Sequence, residues 1–218
     1  MIQLQKEVIK YAKKLNSTNL SILRSGNISL RTKFKNIEGF LITPSGRKYE
    51  TLLPNEIVFV SLDGTYDEKG LKPSSEWKFH QDIYIEKKEA NAIVHAHSLY
   101  ATSLSVHRKL IPAFHYMIAL AGGNDIKCSK YATFGTRELS YNILKALKGR
   151  RACLMSNHGQ VSYGDDLGKA FELAEEVENL CHQYSEAKKL GNPNILSKKE
   201  MNDVLKKIKD YKNQLIYN

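Results

Sequence analysis

Apolar positions first recur at helical spacing over residues 1–16, where Leu4, Val8, Tyr11, Ala12 and Leu15 fall on one face. Asn16-Ser17-Thr18-Asn19 ends that helix. The pattern then shortens. Residues 23–30 predict a loop entering a strand, 39–43 an apolar strand closed by the turn Pro44-Ser45-Gly46, and 56–62 a strand stopped by Asp63-Gly64. Ser74 or Ser75, just after Pro73, is placed to cap a helix running to about Lys88. Residues 90–97 form the next strand and 98–107 a helix, while 111–136, with Gly122-Gly123 at its middle, shows no regular period. Leu139, Ile143, Leu144 and Leu147 mark a helix from Arg137 to Leu147. Two strands, 152–156 and 160–163, flank Asn157-His158-Gly159. Asp165-Asp166 opens a long helix with Leu167, Ala170, Phe171, Ala174, Val177, Cys181 and Tyr184 in phase, and Ser197 with Glu200 forms a capping box for a last one. Several strands are too closely connected to be parallel. No repeat or linker interrupts the series. The expected architecture is a single α/β domain over 1–218, three α/β/α layers with a central, mostly antiparallel sheet.

Composition narrows the setting. No run of about 18 apolar residues offers a membrane span, and the first residues lack the apolar core of a signal peptide. Three scattered cysteines, Cys128, Cys153 and Cys181, fit a reducing cytoplasm and no disulfide framework. The net charge of +10 would suit nucleic acid, but much of it lies in lysine pairs such as Lys13-Lys14 and Lys206-Lys207 without interleaved aromatics. These read as solvated helix faces. A phosphorylated metabolite is the more fitting anion, with no nucleic acid and no membrane among the partners.

Chemistry concentrates around His95-Ala96-His97. On a strand, alternate side chains share a face, so both imidazoles can reach one metal ion. His158, in its tight turn, is the best third ligand, with His115 the rival. Three neutral imidazoles suit a divalent ion such as Zn²⁺, and three protein ligands leave positions open, as a catalytic site requires. Glu76, expected in the first turn of its helix, would face the positive end of the helix dipole and could serve as a general base. Gly26-Asn27, Ser45-Gly46 and Ser74-Ser75 are small polar turns whose backbone N–H groups and short donors suit a phosphate.

In this order, Gly26-Asn27-x-Ser29, Thr43-Pro44-Ser45-Gly46, Ser74-Ser75-Glu76, His95-x-His97 and His158-Gly159 resemble the class II aldolase/adducin family of zinc-dependent sugar-phosphate aldolases. Residues 111–118 and 131–140 resemble most the members that cleave L-fuculose 1-phosphate. The resemblance implies a homotetramer with active sites between subunits and one Zn²⁺ per subunit, held by His95, His97 and His158, with Glu76 joining in the resting state. It implies phosphate contacts from Gly26, Asn27, Ser45, Gly46, Ser74 and Ser75, and catalytic roles for Glu76, Tyr116 and Tyr211, the last from a neighbouring subunit. His115 would then be a neighbour of the catalytic tyrosine and no ligand. The implied reaction is reversible aldol cleavage of a ketose 1-phosphate, L-fuculose 1-phosphate, to dihydroxyacetone phosphate and L-lactaldehyde. Cleavage of 5-deoxyribulose 1-phosphate and 4-epimerisation of L-ribulose 5-phosphate are related alternatives, and a non-catalytic module like the adducin head is a third. The epimerases tend to carry aspartate where this chain has Glu76. One departure is Arg24, at a position where related aldolases commonly have threonine.

Overall fold

The computed structural model describes the backbone of residues 1–216 and side chains through Asp210. Tyr211, expected to serve a neighbouring subunit, has its side chain outside the described residues. The six helices of the described chain are α1 (Ile2–Ser17), α2 (Trp77–Glu86), α3 (Leu99–Ser105), α4 (Arg137–Ala146), α5 (Leu167–Lys189) and α6 (Lys198–Ile216). The strands are β1 (Asn27–Phe34), β2 (Ile37–Ile42), β3 (Val58–Ser61), β4 (Ala92–Ala96), β5 (Ile111–Pro112), β6 (Asp125–Ile126), β7 (Cys128–Ser129), β8 (Ala152–Met155) and β9 (Gly159–Gly164).

Seven of these strands make one sheet in the order β3-β2-β1-β4-β9-β8-β7, antiparallel throughout except for the last pair. Alternation along the strands divides the apolar residues between two faces. Ile28, Val94 and Ala96 join Val8 and Leu15 of α1 and Phe171 of α5 on one side. Phe40, Ile93 and Val161 join Phe79 and Ile83 of α2 and Leu139 and Ile143 of α4 on the other. A third cluster, with Ile118, Leu154, Val177 and Met201, seals the end of the molecule beneath α3, α5 and α6. The layers are those expected from the hydrophobic pattern.

Two expectations are corrected. The helix after Pro73 begins at Trp77, with Glu76 itself in the cap position, and not at a serine cap two residues earlier. Ser74 Oγ still accepts from the Glu76 amide at 3.3 Å, so the serine stabilises the approach to the helix without starting it. Residues 111–136 are largely irregular, yet they contain β5, β6 and β7 and a 3-10 turn at Tyr116–Ala121. Two-residue strands are too short to leave a period in the sequence. The parallel pairing of β7 with β8 is tertiary in origin.

Candidate active site

The centre of the sheet sets the first ligand. In β4, His95 lies opposite Asn27 of β1 and Val161 of β9, and it faces α2. Its Nδ1–H donates to the Gln160 carbonyl at 2.8 Å. That bond fixes the ring and leaves the Nε2 lone pair free to coordinate. His97 lies two residues on, just past the strand, with its Nε2 2.9 Å from that of His95. His158 arrives from the β8–β9 turn. Asn157 there has φ +54°, and a Cβ on Gly159 would stand 2.3 Å from the Ala96 carbonyl oxygen. Only glycine lets this turn lie against the end of β4. The three imidazole rings are mutually edge-on, every pair with centroids 4.8 Å apart.

Glu76 completes the group. Its Oε2 lies 3.1 Å from His95 Nε2 and its Oε1 3.1 Å from His158 Nε2. One atom from each of the four residues can be chosen so that all lie within 4.8 Å of one another. Burial alone would raise the Glu76 pKa, but the imidazoles of His95 and His158 hold it far below the ordinary carboxylate range. Burial and the neighbouring imidazoles push His97 down to about 3, which keeps its lone pair available. Glu76 Oε1 is buried without a hydrogen-bond partner. An orphaned carboxylate oxygen beside three convergent nitrogens is the donor set of a divalent cation that keeps an open position. The residues fit a metal ion.

A cleft of about 380 Å³ opens beside this group. Gly26, Asn27, Ser45, Gly46, Ser74 and Ser75 all border it, together with Glu76, His97 and His158. The turns are brought side by side by backbone bonds from Ser45 N to the Lys72 carbonyl and from Ser74 N to the Thr43 carbonyl, each 3.0 Å. Gly26 has φ +76°, and a Cβ there would meet the His95 carbonyl oxygen at 2.6 Å. Arg24 is on the cleft wall, where Nη1 donates to the Gly46 carbonyl at 2.9 Å, so its guanidinium ties two of the turns together.

Other expected residues lie elsewhere. Tyr116 is 52 % exposed on its 3-10 turn and does not border the cleft of its own chain. His115 Nδ1 accepts from the Met117 amide at 3.2 Å, a local cap that removes it as a ligand. Sequence reasoning passed over Tyr131 and Phe134, which border the cleft, and His80, which is fully buried behind it. The aromatic pair sits within a stretch that carried the family resemblance, but nothing in its spacing says that it faces a ligand. His80 had a signal: Glu76, His80 and Tyr84 are spaced four residues apart, a polar stripe along the buried side of α2 and its cap.

A family model described as the class II aldolase and adducin N-terminal domain matches residues 6–185. The chain belongs to the class II aldolase and adducin family. Among curated relatives, a 5-methylthioribulose-1-phosphate/5-deoxyribulose-1-phosphate aldolase of Rhodospirillum rubrum is 44% identical over 210 residues, 96% of this chain and 93% of that protein. An L-fuculose phosphate aldolase of Escherichia coli is 42% identical, over 96% of this chain and 95% of the relative. A solved L-fuculose 1-phosphate aldolase superposes with a TM-score of 0.89 at 40% identity, covering 95% of this chain and 96% of the other. This chain is therefore a class II aldolase, an enzyme of a metal-dependent family, and the Glu76–His95–His97–His158 group is where a metal ion could sit.

Proposed function

We propose that the protein cleaves a ketose 1-phosphate reversibly to dihydroxyacetone phosphate and an aldehyde, using one Zn²⁺ per subunit, in the cytoplasm. The observation that carries this reading is the convergence of Glu76, His95, His97 and His158 at the edge of a cleft lined by three small polar turns. The bound cation supplies Lewis-acid stabilisation of the negative charge that develops beside the carbonyl. Everything else falls to the chain. Backbone N–H groups at Gly26, Gly46 and Ser75 and the hydroxyls of Ser45 and Ser75 hold the phosphate, with Asn27 and Ser74 supporting the turns. Glu76 moves the proton at the carbon beside the carbonyl, delivering it to the dihydroxyacetone phosphate half after cleavage and removing it in the synthetic direction. Tyr116 and Tyr211, supplied by neighbouring subunits of a tetramer, give and take the proton at the aldehyde oxygen. No lysine is required, because no Schiff base forms.

L-Fuculose 1-phosphate is the preferred substrate, with L-lactaldehyde as the second product. A second reading has direct support: the R. rubrum relative is named for 5-methylthioribulose 1-phosphate and 5-deoxyribulose 1-phosphate. These differ from fuculose phosphate only in the aldehyde half, so the same proton chemistry serves both. A cleavage assay over a panel of ketose 1-phosphates, with and without chelator and coupled to detection of dihydroxyacetone phosphate, decides between them. Cleavage of none of them by the zinc-loaded protein would reject both readings.

A further inference from the structure

Behind the cleft, the polar stripe of α2 faces a polar stripe of β1. Asn27 and Ser29 point to the same side of the strand, and they interleave with Glu76, His80 and Tyr84. Asn27 Nδ2 donates to Glu76 Oε2 at 3.0 Å, and Asn27 Oδ1 meets His80 Nε2. Ser29 Oγ lies 2.7 Å from His80 Nδ1 and 2.7 Å from the Tyr84 hydroxyl. Relative exposures are 7% for Glu76, 2% for Asn27 and 0% for Ser29, His80 and Tyr84. No solvent is at hand to complete a missing bond.

The direction of every bond in this chain follows from its two ends. A carboxylate only accepts, so the Asn27 amide presents its NH₂ to Glu76 and its carbonyl to His80. His80 Nε2 must then carry a proton. Burial and the nearby His95 push the His80 pKa down to about 3, so the ring is neutral and Nδ1 is an acceptor. Ser29 therefore donates to Nδ1, and the Tyr84 O–H donates to Ser29. At the far end the phenol has no other partner to donate to among the described residues, so reversing the chain would strand its proton in the core.

We propose that His80 is a positioning residue: held as the Nε2–H tautomer by Ser29 and Tyr84, it locks the Asn27 amide so that Glu76 is anchored through Oε2 and works through Oε1 alone. The inference rests on the acid/base reading of Glu76. It explains why the two oxygens differ: Asn27 donates to Oε2, while Oε1 faces only the His158 ring, with Nε2 at 3.1 Å. A carboxylate held at one oxygen cannot turn freely about its Cγ–Cδ bond, so the other oxygen stays in one place.

The test uses zinc-loaded enzyme and dihydroxyacetone phosphate in D₂O. NMR follows exchange of the carbon-bound proton, a step that needs Glu76 but no aldehyde. His80→Phe removes both ring nitrogens; His80→Gln keeps a donor where Nε2 was. We expect His80→Phe to slow maximal exchange by at least about tenfold, the scale on which partners of metal ligands act, with metal content and the KM for dihydroxyacetone phosphate unchanged. His80→Gln should recover most of the rate. Because the phenylalanine variant could fail to fold, ¹⁵N NMR of the native enzyme supplies a second reading. His80 should show a pyrrole-like Nε2 and a pyridine-like Nδ1. Unchanged exchange in His80→Phe, or the opposite tautomer in the native ring, overturns the proposal while leaving Glu76 as acid/base. Absence of exchange in the native enzyme overturns both.

Discussion

Among the described residues Glu76 is the one carboxylate that borders the cleft, and two imidazoles and an amide converge on it. Glu76→Gln keeps the shape and leaves the three histidines in place, but it removes the proposed proton carrier. Turnover should fall at least about a hundredfold, the scale of a general base, while elemental analysis still finds one metal per chain. Arg24 makes a separate prediction. It borders the cleft and braces the Gly46 turn, so Arg24→Ala should raise the KM for a phosphorylated ketose with little change in kcat; an unaltered KM would mean the guanidinium serves the turn alone. At this scale the sequence was partly transparent. His95 and His97 declare themselves through two-residue spacing. His158 and Glu76 stood out as candidates, but only the family order joined them into one set. The role of His80 shows only once β1, with Asn27 and Ser29, is known to run past that face of α2.

Elements formed where local pattern and tertiary need agree. The long period of α5 is legible because seven of its apolar positions are buried against the sheet and its neighbours. The capping box at the start of α6 is present as expected, with Ser197 N donating to Glu200 Oε2 at 2.7 Å and Glu200 N to Ser197 Oγ at 3.2 Å. The start of α2 misled because Ser74 and Ser75 are good caps on composition. The chain uses them to hold a turn against Thr43 and to deliver Glu76 to the metal group. The β8–β9 turn carries the prediction for this scale. Gly159→Ala would push a methyl into the backbone of Ala96, which has no flexible end to yield. A loss of about 1–3 kcal/mol is expected from such overpacking, read by urea unfolding, along with weakened metal binding as His158 is displaced.

At the scale of the molecule, Tyr116 stands well exposed and away from its own cleft. If it serves a neighbour, two inactive proteins should complement each other. Mixing Glu76→Gln with Tyr116→Phe chains in equal amounts, unfolding and refolding them together, should restore activity. About a quarter of sites would then unite an intact Glu76 with an intact Tyr116 from the adjoining subunit. No recovery in mixed oligomers would mean that no neighbour supplies the tyrosine, and a fully active Tyr116→Phe protein would place it outside the reaction. Metal removal should abolish activity and lower the melting temperature, since an ion that binds only folded chains stabilises them by mass action; zinc should restore both. The layered fold itself was readable from alternation and helical period. The assembly was not, because exposed apolar residues such as Leu99 and Phe134 look alike whether they meet water, substrate or another chain.

The pairing of His95 with Asn27 on one side and Val161 on the other has a kinetic corollary. Sliding β4 by a single residue would send the His95 imidazole through the sheet to the opposite side and drag His97 out of place with it. A misaligned chain could then offer no chelate at all, so cation capture selects the correctly threaded sheet from its near competitors. Refolding yields should rise when zinc is supplied early, and should not when it is added after collapse is complete.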